Sequence, residues 1–239
     1  MKFIKKHIKL LIFIIVIISI YFIYKLNNNN NLTYLSLGDG YAVGENSYKI
    51  IDYGYSDYLK DYLEENNQLQ FYTKKFSNNK LMITNLYENI IINQKVIVED
   101  KTINIKQSLR NSSIITLSIG INDLIYKLSL EEINIPISKI NKIVIDTNKD
   151  FNILIKEIKK YYPYKIYVIG YQTVNIPNKN LLIAVKKLNY LYKQNKDIIY
   201  IDPNKVLIDK YKYFSNPNSM YPNKEGYKAI SNEIVNNFK

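Results

Sequence analysis

Three separated stretches hold the residue types that chemistry needs. They are Gly38-Asp39-Gly40-Tyr41-Ala42-Val43-Gly44, Gly120-Ile121-Asn122-Asp123 and Tyr221-Pro222-Asn223-Lys224-Glu225-Gly226-Tyr227. The first two each follow an apolar, β-branched or alternating run, so their polar residues stand just past the end of a strand. In open α/β sheets that is where ligands bind. The side chains on offer include three carboxylates, two carboxamides, a lysine and three phenols. Gly40 has no side chain to attack anything, and a phenol such as Tyr221, with a pKa of about 10, is a poor proton acceptor at neutral pH. Tyr41, Tyr171 and Tyr221 could line a cleft with amphipathic rings suited to a sugar or an acyl chain. In a chain with 24 tyrosines they could equally be packing residues. Asp39 and Asp123 could each brace their own turn.

The elements that must position these stretches are readable in order. Thr33–Leu37 alternates as a strand that stops at the glycine turn, Tyr55–Glu65 has the spacing of an amphipathic helix, and Gln68–Phe76 alternates again. Leu81–Ile92 returns to helical spacing and Thr102–Asn111 reads as a short helix. Ser113–Ile119 is a near-continuous apolar run of the kind that fills a parallel sheet covered on both faces. Ile137–Tyr162 is one long helix or two in succession. Then come a strand over Lys165–Gly170, a helix over Lys179–Asn195 and a strand over Ile198–Asp202. Pro203 suits a first helical turn, and after a loop over Tyr213–Pro222 a terminal helix starts near Asn223. Five strands alternating with helices predict a three-layer α/β/α sandwich around a mostly parallel five-stranded sheet of the flavodoxin-like kind.

The amino terminus is of another character. Lys2, Lys5, Lys6 and Lys9 precede an uninterrupted run over residues 10–24 dominated by Leu, Ile, Phe and Val, with two tyrosines near its end, followed by Lys25-Leu26 and five asparagines. Fifteen residues are short for a membrane span and suit a signal-peptide core, yet no small-x-small cleavage site follows. Flanking lysines can snorkel and the bilayer can thin. The expectation is therefore an uncleaved signal-anchor helix in residues 1–26 and an Asn-rich linker in 27–32. A folded domain over 33–239 would lie outside the membrane, since the lysine-rich end stays cytoplasmic. A cleaved signal peptide is the alternative. His7, the only histidine, then lies on the cytoplasmic side, so no Ser–His or Cys–His pair can form in the exported domain.

In order and spacing the three motifs resemble those of the SGNH (GDSL-type) hydrolases. The first resembles Gly-Asp-Ser-x-x-x-Gly, the second Gly-x-Asn-Asp and the third His-Pro-Asn-x-x-Gly-Tyr. The resemblance covers residues 33–239. It implies the SGNH fold and an ester or acyl hydrolysis run by a serine–histidine pair, with an aspartate shortly before the histidine. It also implies an oxyanion held by the serine N–H, a glycine N–H from a further motif and the asparagine side chain. On this chain Gly40 stands at the nucleophile, Tyr221 at the base, and Asn218 and Ser219 where the aspartate is sought. No glycine lies between Gly54 and Gly120 to supply the further N–H. Of the four residues that name the family only Asn122 remains, and glycine in place of serine is expected to open space at the cleft floor. Asp39, Gly40, Asn122 and Tyr221 are thus the candidate cleft and oxyanion residues.

Composition narrows the classes. With no cysteine, disulfides and thiolate metal sites are excluded; a structural zinc site is hard to build with a single histidine, and nothing calls for a cofactor. The formal charge of +12 comes from lysine, with Arg110 the single arginine among 33 basic residues. Base and phosphate readers favour arginine, the lysines are scattered along solvated faces, and abundant Ile, Asn, Lys and Tyr signal AT-rich coding. A nucleic-acid partner is not expected. The leading expectation is a membrane-anchored domain that has lost hydrolysis and binds an envelope glycan, lipid or protein. The alternative is an active esterase with a displaced nucleophile, Ser36 or Ser118, and a lysine base.

Overall fold

The computed structural model describes residues 14–20, 32–131 and 134–238. Five parallel strands form the sheet: β1 (Leu32–Gly38), β2 (Leu69–Thr73), β5 (Ile114–Ser118), β6 (Ile166–Ile169) and β7 (Ile198–Ile201), in the order β2-β1-β5-β6-β7. The three-layer sandwich is as expected. Central β5 is buried along its whole length, as a strand covered on both faces must be. Strand order reverses between β1 and β5, so the switch point of the sheet falls where Gly38 pairs with Ser118.

Helices cover both faces. One layer packs α3 (Ile83–Ile91), α5 (Ile121–Ser129), α6 (Ile137–Lys159) and α7 (Lys179–Lys193) together, with α4 (Ile105–Asn111) against α3. The other joins α2 (Tyr55–Glu65) to α9 (Lys224–Asn236), with the short α1 (Gly40–Val43) and α8 (Lys210–Tyr213) beside them. Tyr34 and Tyr72 stack on the α2 side with centroids 5.1 Å apart, and the Tyr72 hydroxyl reaches Ser56 Oγ at 3.1 Å. Residues 137–159 form one helix rather than two. Pro203 opens a single 3-10 turn capped by Asp202, and Asn223 caps α9 by accepting from the Gly226 N–H at 3.0 Å.

Two readings need correction. The first third of the helix expected over Thr102–Asn111 is extended: β3 (Lys95–Val98) and β4 (Lys101–Asn104) make an antiparallel hairpin outside the main sheet, and only α4 is helical. The hairpin turn is Glu99-Asp100 with both φ values positive, 47° and 64°. That is a type I′ turn written without the Asn-Gly or Asp-Gly pair that betrays one in sequence. Second, a helix that the sequence reading omits follows β5: α5, capped by Gly120 with φ of 115°.

Of the amino-terminal anchor, residues 14–20 are helical and exposed. Among the described residues no helix is long and apolar enough to cross a membrane. The rest of the 10–24 run and the linker over 27–31 lie outside the described residues.

Candidate functional site

The candidate site is built at the switch point by four chain segments. β1 ends at Gly38, whose φ of 131° and approach to β5 admit no side chain: a Cβ there would sit 1.9 Å from the Ser118 carbonyl oxygen. Asp39 follows as the N-cap of α1, its Oδ1 accepting from the Tyr41 N–H at 3.2 Å. The same Oδ1 accepts from Ser118 Oγ at 3.1 Å, and Oδ2 accepts a short hydrogen bond from the Tyr171 hydroxyl. Tyr171, just past β6, is clamped by Asn189, whose Oδ1 accepts from its N–H at 3.0 Å and whose Nδ2 donates to its carbonyl at 2.6 Å. Burial raises the Asp39 carboxyl to about 7 despite these donors. It is fully buried, a brace between the ends of β1, β5 and β6.

Gly40 is the first residue of α1. A Cβ placed on it would lie 2.6 Å from Tyr221 Cε1, 2.7 Å from Glu45 Oε2 and 2.9 Å from the Tyr221 hydroxyl. The expected open space at the cleft floor is therefore absent: a phenol ring and a carboxylate stand where a serine side chain would project. Tyr221 arrives on the loop before α9, with its N–H held by Ser219 Oγ at 3.2 Å. Its ring lies 6.0 Å from that of Tyr41, which in turn meets Tyr171 at 5.3 Å and Tyr227 at 5.8 Å. Tyr41 and Tyr171 are fully buried, so they are packing residues that join α1 to the segments around it and do not line a cleft. Burial pushes the Tyr221 phenol up, and the Asp39 and Glu45 carboxylates add to the shift. Such a hydroxyl keeps its proton and acts as a donor. Burial likewise raises the Glu45 carboxyl, against the pull of Tyr221 and Asn79 beside it.

The second motif is turned to structural use. Asn122 donates both amide protons to backbone carbonyls, of Asn79 at 3.0 Å and Leu81 at 2.9 Å. Its amide thus fastens the loop between β2 and α3 and is not presented to an open oxyanion site. Asp123 accepts from the Ile83 N–H with both oxygens, at 3.3 and 3.1 Å, and so caps α3 from another helix. Burial raises its carboxyl too.

In the third region Asn218 is exposed, with its N–H on Asn216 Oδ1 at 2.8 Å. The loop that carries it is tied down from across the site. Gln172 Nε2 and the Tyr41 hydroxyl both donate to the Met220 carbonyl at 3.0 Å, and Asn175 Nδ2 donates to the carbonyls of Asn216 and Ser219. Sequence reasoning passed over Glu45, Asn79, Gln172, Asn175 and Asn189. Glu45 carried a signal, as a carboxylate directly after the first motif's last glycine. The four carboxamides beyond it are ordinary members of a chain rich in asparagine.

No family model and no curated protein matches this chain. Solved structures do. A lipase from a goat rumen metagenome is similar over 86% of this chain and 97% of its own, with 18% identity and a TM-score of 0.66. The acetylxylan esterase of Geobacillus stearothermophilus is similar over 87% and 95%, with 14% identity and a TM-score of 0.61. A G-D-S-L family lipolytic protein of Veillonella parvula is similar over 86% and 97%, at 14% identity and a TM-score of 0.56. The fold is that of the SGNH/GDSL hydrolases. Structures of the Geobacillus esterase include catalytic mutants in which a serine, an aspartate or a histidine is replaced by alanine.

Proposed function

We propose that this chain is an SGNH-fold domain that binds a component of the cell envelope, a glycan, a lipid or a protein, without hydrolysing it. Residues 1–26 would tether it to the outer face of the membrane. The observation that carries the reading is the occupancy of Gly40: Tyr221 and Glu45 fill the place from which a serine would attack. Three further facts support it. The residue at the base position is a phenol held protonated by burial and by two carboxylates. The Asn122 amide is spent on two backbone carbonyls. The displaced nucleophiles weighed from sequence, Ser36 and Ser118, are both fully buried, and Ser118 donates to Asp39. A substrate carbonyl cannot reach either without opening the sheet.

The test is hydrolysis of p-nitrophenyl acetate and of acetylated xylo-oligosaccharides by the full chain in mild detergent, beside the Gly40→Ser, Tyr221→His double variant. The unsubstituted protein is expected at the uncatalysed rate. The double variant, with a nucleophile and a base in the space Tyr221 vacates, is expected above it. Turnover by the unsubstituted protein well above background overturns the reading.

A further inference from the structure

A cavity of about 640 Å³ lies far from the filled centre, over the amino-terminal half of β1. Its floor is the sheet. Thr33 pairs with Phe71 and Leu35 with Thr73 in the β1–β2 register, and residues two apart on a strand share a face. Its wall is the β4 strand of the hairpin and α4. The volume falls within the range of small-molecule sites.

The chemistry of the lining is uniform. Although the chain carries a formal charge of +12, none of the residues lining this cavity is a lysine, arginine, aspartate or glutamate. They are carboxamides, hydroxyls and apolar side chains. Some of the polar groups are committed to the fold: Ser108 and Ser112 donate to the carbonyls of Asn104 and Ser108 at 2.9 and 2.6 Å, and Asn104 caps α4. Others face solvent. The side chains of Thr102, Gln107 and Asn111 are exposed at the rim and have no hydrogen-bond partner among the described residues. Gln107 and Asn111 are four apart on α4, hence neighbours on one helix face.

We propose that this cavity binds a neutral oligosaccharide. Each carboxamide offers a donor pair and an acceptor in one fixed plane, which matches the vicinal hydroxyls of a pyranose. The Phe71 ring supplies the apolar surface that the C–H face of a sugar needs. With no lysine, arginine, aspartate or glutamate in its lining, the cavity offers no counter-charge to a phosphorylated or acidic ligand and favours a neutral one. This inference goes beyond the loss of hydrolysis and does not need it, because the cavity and the switch point share no lining residue.

The experiment is calorimetric titration of the full chain in a polyoxyethylene detergent, which has no sugar headgroup to compete. The probes are neutral tetramers of N-acetylglucosamine, xylose and glucose, with tetragalacturonate as the charged comparison. At least one neutral tetramer is expected to saturate a single site, with tetragalacturonate at least about tenfold weaker. Replacing Gln107 and Asn111 together by alanine is expected to weaken binding by about tenfold or more, the loss of two hydrogen bonds. Both positions are exposed, so that variant keeps its fold. Thr102→Trp, which fills the cavity, is expected to abolish binding. Silence of every neutral tetramer at millimolar concentration overturns the proposal. So does a sugar that ignores the Gln107 and Asn111 variant but is lost in Tyr221→His, since it would sit at the switch point. Esterase turnover together with cavity binding would sink the non-hydrolytic reading and leave this one standing.

Discussion

Gly40→Ser should destabilise the protein, and the size of the effect follows from three distances. Gly40 has an ordinary backbone, since the glycines with positive φ are 38, 44 and 120. A side chain at the first turn of a helix would then normally gain about 0.4–1 kcal/mol by restricting the unfolded chain. Against this stand contacts of 2.6 Å to Tyr221 Cε1 and 2.7 Å to Glu45 Oε2, where carbon neighbours need about 3.5 Å or more. The Glu45 carboxylate can swing, as the end of a flexible side chain. The Tyr221 ring is packed against Tyr41 and its backbone is tied to Ser219, so the loop before α9 must shift. Overpacking of this kind costs about 1–3 kcal/mol, leaving a net loss of about 1–2 kcal/mol. Urea unfolding followed by circular dichroism reads it as a lower midpoint at unchanged slope. In Tyr221→His the ring shrinks, and a double-mutant cycle should return about 1 kcal/mol or more of favourable coupling between the two positions. A Gly40→Ser protein as stable as the parent, with no coupling to position 221, would refute the argument. It would mean that Tyr221 leaves the site freely and that the floor of the cleft is open in solution.

The other expectations concern groups that brace the same region. The Asp39 carboxyl holds its proton to about pH 7 when folded and only to about 4 when unfolded. Its contribution to stability is therefore complete below about pH 4 and is lost as pH rises through 7, by at most about 4 kcal/mol. Asp39→Asn removes this titration, so its stability relative to the parent should improve steadily between pH 4 and 7; parallel stability curves would refute the assignment. Asn122→Ala leaves the Asn79 and Leu81 carbonyls without their donor. It should cost about 1–3 kcal/mol and speed hydrogen exchange at the amide of Ile83. A variant that unfolds at the parent's midpoint would mean that Asn122 faces an open pocket.

The sheet was legible because its strands announce themselves: Ser113–Ile119 is a run of apolar and β-branched residues closed by glycine, and β1 ends at Gly38-Asp39-Gly40. The β3–β4 hairpin was not, since a Glu99-Asp100 turn contradicts local preference and is held by the pairing of Val96 with Ile103 and of Ile97 with Thr102. The candidate site was legible as a place and illegible as a shape. That Gly40 would leave a void follows from deleting a side chain in isolation. What fills it depends on Tyr221, 181 positions later, and on a Glu45 rotamer, and no periodicity records either.

The motifs themselves explain why they can outlast chemistry. Asp39 caps α1 and accepts hydrogen bonds from the Ser118 and Tyr171 hydroxyls. Asn122 and Asp123 fasten the start of α3, and Asn223 caps α9. Gly226 lets α9 pack on the turn before it, since a Cβ there would sit 2.7 Å from Pro222 Cβ. Each of these is required by the backbone whether or not a serine stands at position 40. Residues whose first duty is to hold the switch point together therefore report the fold, and only the pair that would touch a substrate, positions 40 and 221, reports the reaction. In this chain that pair is a glycine and a half-buried phenol that fills the space beside it.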